Sequence, residues 1–161
     1  MATNTLLQYL ETTGEDAFGA SASLGANVSN RRQVETFIQG SGTAIAVGDL
    51  VAFDIGETGP TRVVRVVKAT TAAAGNALCV GVAHTASTNE GDRLDVVVAG
   101  YAATVKADAS GVTSGNPLTA SKATAATVTD RVAGDTSPAF GVALEAIGAG
   151  ATGACWIYKQ F

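Results

Sequence analysis

The side chains that can carry out catalysis are few in this sequence. It holds a single histidine, His84, in a strand-like run. A serine–histidine–acid triad would need that imidazole, but the G-x-S-x-G turn that presents the nucleophile in many hydrolases does not occur. There is also no C-x-x-C or H-x-x-x-H pattern to form a zinc site. We interpret His84 as a solvated or hydrogen-bonded residue at a strand end, and we expect neither enzymatic activity nor a bound metal.

Two further patterns that can carry chemistry also have structural explanations. Asp92 and Asp95 straddle the start of a predicted strand, and their odd spacing places them on opposite faces, unlike a glycosidase pair. The segment 148–153 matches G-x-G-x-x-G, but a dinucleotide site requires a helix directly after the glycines. Strand-like residues follow instead, at 154–158. We interpret the segment as a hairpin turn and predict no cofactor.

The two cysteines, Cys79 and Cys155, both lie in apolar runs. This placement is typical of small buried hydrophobic residues. Two cysteines do not make the framework of a disulfide-rich secreted protein. Whether these two pair with each other is left open by the sequence.

Charge and composition exclude several classes of partner. The net charge is −4, and only 15% of the residues are charged. A nucleic-acid-binding protein usually shows a basic patch or stripe, and an acidic balance disfavours anionic lipid; we expect no nucleic-acid and no membrane partner. The first residues show neither a positive region nor a long apolar stretch, so we expect a protein that is made and folded in a cytoplasm.

Residues 1–30 have the composition of an N-terminal arm. The spacing of Leu6, Leu7 and Leu10 predicts a short helix over 3–11. An isolated helix of this length is marginal in water, so it needs a surface on which to lie. The rest of the arm is mostly Gly, Ala, Ser, Thr and Asn, which is typical of a flexible linker.

Residues 31–161 have the pattern of a mainly β body. Valine and threonine are abundant, and short apolar or alternating runs are separated by glycine-rich turns. Such spacing predicts a small β-barrel or a β-sandwich. The predicted strands cover 31–39, 43–47, 49–55, 61–69, 77–86, 92–106, 117–121, 126–132, 138–146 and 153–160.

The end of the chain carries the densest aromatic cluster, Trp156, Tyr158 and Phe161. Aromatic side chains of a terminal strand usually contribute to the core, and a row of exposed aromatic rings would instead indicate sugar stacking. We expect core packing of the last strand.

An internal echo indicates two duplicated β units, over about 43–106 and 111–161. Gly81-Val82-Ala83 recurs sixty residues later as Gly141-Val142-Ala143. Upstream of each, Gly48-Asp49-Leu50-Val51 is similar to Gly115-Asn116-Pro117-Leu118. Because sequences rich in small residues also match by chance, a single body without repeats stays open.

Several stretches resemble small virion proteins of tailed phages. The first pair of stretches is Asn30–Ile38 (NRRQVETFI) and Ala46–Asp54 (AVGDLVAFD). The second pair is Gly115–Ser121 (GNPLTAS) and Phe140–Ala146 (FGVALEA). This pattern is similar to that of capsid decoration (cement) proteins and related head proteins, and it spans residues 30–161.

The resemblance implies a β-rich structural protein, commonly a homotrimer, on the outside of an icosahedral capsid. Its partner would be the major capsid protein, and it would stabilise the joints between capsomers. In that setting the arm would lie in a groove of a neighbouring subunit. The adjacent basic pair at the start of the body would either contact an acidic surface of the partner or form a solvated strand edge that discourages aggregation. The predicted contact residues are Leu6, Leu7, Tyr9, Leu10, Arg31 and Arg32.

Two other functions fit the same composition. One is a different virion accessory, such as the base of a head fibre or a tail component. The other is a glycan-binding β module, for which exposed Trp156 or Tyr101 would be the discriminating observation.

Overall fold

The computed structural model describes residues 32–71 and 78–158, and within them the fold is mainly β. The predicted arm, residues 1–30, lies outside the described residues. A 3-10 helix spans Gly59–Val63. The strands are β1 (Arg32–Gln39), β2 (Leu50–Phe53), β3 (Arg65–Lys68), β4 (Cys79–Ala83), β5 (Arg93–Lys106), β6 (Pro117–Ala120), β7 (Val128–Asp130), β8 (Gly141–Ala143) and β9 (Thr152–Ile157).

The nine strands form one sheet in the order β1-β3-β2-β4-β5-β9-β8-β6-β7, and β1 also pairs with β5. This extra pairing closes β1, β3, β2, β4 and the first half of β5 into a five-stranded barrel, which we call the first unit. Of the two predicted architectures, barrel and sandwich, the structure therefore has the barrel. The prediction of a mainly β fold is confirmed.

The remaining strands repeat this arrangement. The second half of β5 pairs with β9, and the order continues through β8 and β6 to β7. A parallel bridge between Ala107, just after β5, and Val128 of β7 brings the two ends together. We call these strands, with the second half of β5, the second unit.

Strand β5 is thus shared between the two units. Gly100, in its middle, is opposite Arg32 of β1 on one edge and opposite Ile157 of β9 on the other. Gly100 has a φ of 85°, a left-handed conformation that glycine adopts without strain. The exchange of neighbours along β5 therefore occurs at a residue that allows the strand to bend.

Two buried clusters correspond to the two units. The interior of the first barrel contains Phe37, Ile45, Val51, Val66, Val80, Ala83, Leu94, Val96 and Val98. The other cluster joins the interior of the second unit to the outer surface of the first; it includes Val105, Val112, Leu118, Val128, Phe140, Ile147, Cys155 and Ile157 together with Leu50, Val82 and Val97. The two units are therefore packed against each other through apolar side chains.

Backbone hydrogen bonds repeat between the units at corresponding residues. The N–H of Gly48 donates to the carbonyl of Ala83 at 2.9 Å, and the N–H of Gly115 donates to the carbonyl of Ala143 at 2.8 Å. Both glycines have a positive φ, 87° and 82°. Each unit therefore uses a left-handed glycine to turn into its second strand and to tie that turn to the strand alongside.

A second repeated feature is a two-way bridge that follows the short strands. Ile45 and Ser87 exchange both backbone hydrogen bonds at 2.9 Å, while Val112 and Ile147 exchange theirs at 2.9 and 3.0 Å. Three of these four residues are apolar, and all four are buried. The bridges therefore occupy equivalent places in the two units.

A third repeated feature is a serine–aspartate contact in which the two residue types are exchanged. In the first unit, the Ser41 N–H donates to the Asp54 carboxylate at 3.2 Å. In the second, the Ser121 hydroxyl donates to the Asp108 carboxylate at 2.8 Å. Ser41 lies four residues before the bridge residue Ile45, and Asp108 lies four residues before the bridge residue Val112. The serine of the first unit therefore corresponds in position to the aspartate of the second unit.

The predicted strands differ from the observed ones mainly at 43–47 and 61–69. In the first segment only Ile45 forms a bridge. In the second, the chain begins as the 3-10 helix, whose first turn contains Pro60. Proline has no N–H to donate to a sheet, and β3 starts only at Arg65. The predicted strand at 138–146 also shortens to Gly141–Ala143.

Candidate functional site

Most of the predicted contact residues lie outside the described residues: Leu6, Leu7, Tyr9, Leu10 and Arg31. Arg32 is described; it is the first residue of β1, half-buried, and opposite Gly100 of β5. It therefore lies near the junction of the two units. The predicted contact of this arm and basic pair with a partner stays a prediction.

His84 lies on the surface at the turn after β4. Its backbone N–H donates to the carbonyl of Asp95 at 2.7 Å, which extends the ladder between β4 and β5. Across residues 32–71 and 78–158, no group of three or more His, Cys, Asp and Glu side chains is placed to hold a metal ion.

The two aspartates near the start of β5 have separate partners. The carboxylate of Asp92 accepts from the N–H groups of Asn89 and Thr88, at 2.8 and 3.1 Å, and these bonds lower its pKa. The carboxylate of Asp95 accepts from the Thr36 hydroxyl of β1 at 2.7 Å. One aspartate thus stabilises a turn and the other a strand pair.

Both thiols are buried and free. Burial raises the pKa of Cys79 and of Cys155 to about 12. Because the thiolate is the reactive form, these cysteines are inert at neutral pH. The structure therefore answers the question that the sequence left open: the two cysteines are unpaired small residues of the core.

The glycine-rich segment 148–153 forms a turn between the Ile147 bridge and β9. Gly150 has a φ of 67°. The residues after the turn, 152–157, are a strand, so the helix that a dinucleotide site requires is replaced by β structure.

An apolar row on the surface of the second unit is the most distinctive feature of the described residues. It crosses four neighbouring strands, because Pro117 of β6 is opposite Val142 of β8, Val142 is opposite Trp156 of β9, and Trp156 is opposite Tyr101 of β5. Trp156 is 36% exposed and Tyr101 is half-buried. We call these four residues the outer row.

Two large side chains extend the outer row on the same surface. Leu144 of the turn after β8 is 46% exposed, and Tyr158 after β9 is 43% exposed. The outer row and these two neighbours contain no charged side chain. Contiguous apolar surface of this kind commonly marks a site of association.

The expected core packing of Trp156 and Tyr158 is therefore wrong; Phe161 lies outside the described residues. Cys155 and Ile157 point into the barrel instead, with exposures of 0% and 1%. A five-stranded barrel has a narrow interior, which residues of this size already fill. The alternation of Cys155 and Ile157 with Trp156 and Tyr158 is the sequence signal that places the two rings on the opposite face of the strand from the buried residues.

A second apolar surface lies on the first unit, at the loop between β2 and β3. Ile55 is 72% exposed, Val63 is 63%, and Val64 and Leu78 are each 44%. A hollow of about 250 Å³ is lined by Ile55, Val63 and Leu78, together with Phe53, Asp54 and Arg62. We call Ile55, Val63, Val64 and Leu78 the loop patch.

Ion pairs border the loop patch and the opposite end of the same hairpin. Arg65 contacts Glu57 at 2.7 Å and Glu90 at 3.1 Å, and Lys68 contacts the buried Asp49 at 3.2 Å. The two Arg65 pairs are partly exposed, and pairs of this kind contribute little to stability. They do keep charge at the margin of the apolar surface, as at the rim of a protein–protein interface.

No helix in the described part of the chain is long and apolar enough to cross a membrane. No protein-family model matches the chain, and no curated protein matches it.

Among solved structures, the chain is similar to the N base of head fiber gp8.5 in bacteriophage phi29. The two are 21% identical, with a TM-score of 0.52, and the match covers 79% of this chain and 96% of that one. At this identity the likeness shows a shared fold.

Proposed function

We propose that this protein is a structural component of a tailed-phage virion that docks on the outside of the icosahedral capsid. Its partner is the major capsid protein, and its role is to stabilise the joints between capsomers, without enzymatic activity. The observation that carries the proposal is the shared fold with the base of a phage head fiber, which extends over 96% of that base. The sequence resemblance to capsid decoration proteins points in the same direction.

The described surface supports a docking role more than a chemical one. Its distinctive features are two exposed apolar surfaces, the outer row and the loop patch, on opposite units of a rigid β body. A binding site for a small molecule would instead combine an apolar pocket with a few convergent polar groups. Extended apolar surfaces with charge at the margin suit association with another protein.

A trimeric arrangement strengthens such docking. We propose a homotrimer at threefold or quasi-threefold positions of the shell, as the resemblance implies. Three copies held together convert a second and third contact into intramolecular events with a high effective concentration. Individually weak contacts then add up to stable attachment.

The N-terminal arm is the proposed capsid contact. Its leucines and Tyr9 would lie in a groove of the capsid protein and order on binding. Arg31 and Arg32 follow directly and would face an acidic surface, where charge affects the rate and specificity of association.

One alternative has a specific observation in its favour. The solved structure with the shared fold is the base of a head fiber, and the alternative is that this chain is also a fibre base. A fibre base attaches to the shell and carries an appendage, whereas a cement protein makes the shell stronger. The two roles therefore differ in what binding does to the capsid.

The first experiment is co-sedimentation of the full chain with expanded, undecorated capsids of the phage that encodes it. We expect saturable binding in multiples of three per threefold position. Heating the decorated and bare capsids in parallel separates the two roles: a cement protein raises the temperature at which DNA is released, and a fibre base leaves it unchanged. Absence of binding to the capsid would overturn both.

A truncated chain that lacks residues 1–30 tests the arm. We expect it to give the same β-sheet circular dichroism signal as the full chain and to lose capsid binding. Unimpaired binding of the truncated chain would exclude the arm as the contact. A glycan array with the full chain covers the remaining alternative, since Trp156 is partly exposed as a glycan-binding module would require.

A further inference from the structure

The outer row of the second unit has a counterpart in the first unit with the same pairing. Leu50 of β2 is opposite Val82 of β4, Val82 is opposite Val97 of β5, and Val97 is opposite Val34 of β1. We call these four the covered row. The corresponding residues of the two rows are Leu50 and Pro117, Val82 and Val142, Val97 and Trp156, and Val34 and Tyr101.

The covered row is buried by the second unit. Leu50, Val82 and Val97 are 0%, 1% and 2% exposed, and they belong to the same apolar cluster as the interior of the second unit. The outer row occupies the same place on its own unit, but within residues 32–71 and 78–158 no further unit covers it. Its Trp156 is consequently 36% exposed.

The loop between β6 and β7 is part of the surface with which the second unit packs on the first. Ala126 of this loop accepts from the Leu50 N–H at 2.8 Å and donates to the Ala69 carbonyl at 2.9 Å. The loop thus reaches across from the second unit and joins the end of the β2–β3 hairpin.

The equivalent loop of the first unit is the one between β2 and β3. It faces away from the second unit and carries Ile55, Val63 and Val64 of the loop patch, exposed by 72%, 63% and 44%. The described part of each chain therefore has one row that no unit covers and one loop that covers no row, at corresponding places of its two units.

We propose that the two units are repeats, and that the outer row of one chain is covered by the loop patch of a second copy, in a head-to-tail contact. The contact continues between chains the packing that joins the units within one chain. A head-to-tail contact is heterologous, so each copy offers both complementary surfaces and the assembly can close into a ring. The proposal rests on the internal correspondence of the units and not on capsid binding.

The contact between chains differs from the contact within a chain in one respect. Leu50 donates its N–H to Ala126, but its counterpart Pro117 has no N–H to donate. The larger side chains of the outer row, Trp156 and Tyr101, supply apolar and aromatic area in its place. Aromatic residues of this type dominate the energy of protein–protein interfaces. We therefore expect a reversible contact driven by apolar burial.

The first measurement uses Trp156, which is the only tryptophan in the chain. The emission of the full chain is recorded over a dilution series, in parallel with sedimentation velocity. We expect the emission maximum to shift to shorter wavelength as the mass rises above that of a monomer. A monomeric mass at all concentrations, with emission typical of exposed tryptophan, would overturn the proposal.

Two substitutions then separate a head-to-tail contact from a symmetric one. Val142→Asp places a charge in the outer row, and Val63→Asp places one in the loop patch. We expect each to weaken self-association at least tenfold, while Val132→Asp, at an apolar residue that is 67% exposed and outside both surfaces, leaves it unchanged. Leu144→Asp serves as a second outer-row variant if Val142→Asp does not fold.

Mixing the two deficient variants gives the decisive result. The Val63→Asp chain keeps an intact outer row and the Val142→Asp chain keeps an intact loop patch, so a mixture forms one contact and we expect a one-to-one dimer. Failure of the mixture to associate would overturn the proposal. Loss of association in Val142→Asp alone would also overturn it, since it would indicate that two outer rows face each other.

Discussion

The covered row and the outer row occupy corresponding places on the two units, but they are made of different types of side chain. In the covered row, Leu50, Val82 and Val97 are almost fully buried and Val34 is half-buried. In the outer row, Trp156 and Tyr101 stand in place of valines and Pro117 stands in place of leucine. Aliphatic side chains suit permanent packing, and amphipathic rings tolerate both water and a partner. The place of a residue in the fold therefore determines which way its side chain points. Whether another unit packs on that side chain decides whether an aliphatic or an aromatic residue suits the position.

The largest expected effect comes from placing the same charge in each row. Val82→Asp would bury a carboxylate without a partner, and we expect a loss of more than about 4 kcal/mol in unfolding free energy. Val142→Asp leaves the charge partly in water, and we expect a loss below about 1 kcal/mol. Urea denaturation of both variants measures the difference. Equal losses would mean that the two rows have the same environment.

The next effect tests the similarity of the units. A side chain at Gly81 would collide with the carbonyl oxygen of Val97, and one at Gly141 with that of Trp156. Because backbone atoms cannot move aside easily, we expect Gly81→Ala and Gly141→Ala each to cost about 1–3 kcal/mol. Denaturation midpoints that fall by similar amounts support equivalent units. Gly134→Ala, where no atom lies within reach of a new methyl group, shows what the strain of a positive φ costs without a collision.

A smaller effect concerns the junction of the units. Ala126 has a φ of 61°, and both of its backbone hydrogen bonds go to the first unit. Glycine relieves the strain but loses a buried methyl group, so we expect Ala126→Gly to stay within about 1 kcal/mol of the natural protein. A β-branched residue fits this conformation poorly, and we expect Ala126→Val to lose about 2 kcal/mol. Thermal unfolding of the two variants gives the order, and a more stable valine variant would contradict it.

The smallest effect is the pH dependence of one exposed ion pair in the second unit. The Lys122 ammonium at 2.8 Å, with the N–H of Ser137, holds the pKa of Asp135 well below its usual range. A carboxyl whose folded pKa is lowered stabilises the fold above its unfolded pKa of 3.8, and loses that contribution as pH falls through the folded value. We expect Lys122→Met to raise the pKa of Asp135, as measured by NMR titration. An unchanged titration curve would show that the pair does not form in solution.

The strands of the body could be predicted because their alternation is local. The runs that became β1, β2, β4 and β5 were all recognisable from apolar residues between glycine turns. The closure of the barrel could not be predicted, because β1 pairs with a strand about sixty residues later in the chain. A contact between such distant residues, for example Thr36 with Asp95, leaves no local pattern in the sequence. The 92–106 segment was predicted as one strand, but nothing in its sequence apart from Gly100 indicates that its halves belong to different units.

The candidate surfaces were harder to predict than the fold. The exposure of a side chain depends on whether another unit packs on it. Val97 is therefore buried and Trp156 is partly exposed, although they occupy corresponding positions. The loop patch was missed because 61–69 has the composition of a strand, and only Pro60 indicates that the chain leaves the sheet there. The absence of a catalytic pattern could be read directly from the residue types, since chemistry requires particular side chains.

The sharing of β5 has a consequence for how the molecule unfolds. Neither unit has five strands of its own, because each takes half of the same fourteen-residue segment. Melting either unit would release its half of β5 and expose the apolar cluster that both units share, so partly melted states are disfavoured. We expect a single calorimetric transition whose van't Hoff enthalpy equals the measured heat for the whole chain; two resolved peaks would contradict this. The chain would then unfold as one cooperative block, with no separately stable half.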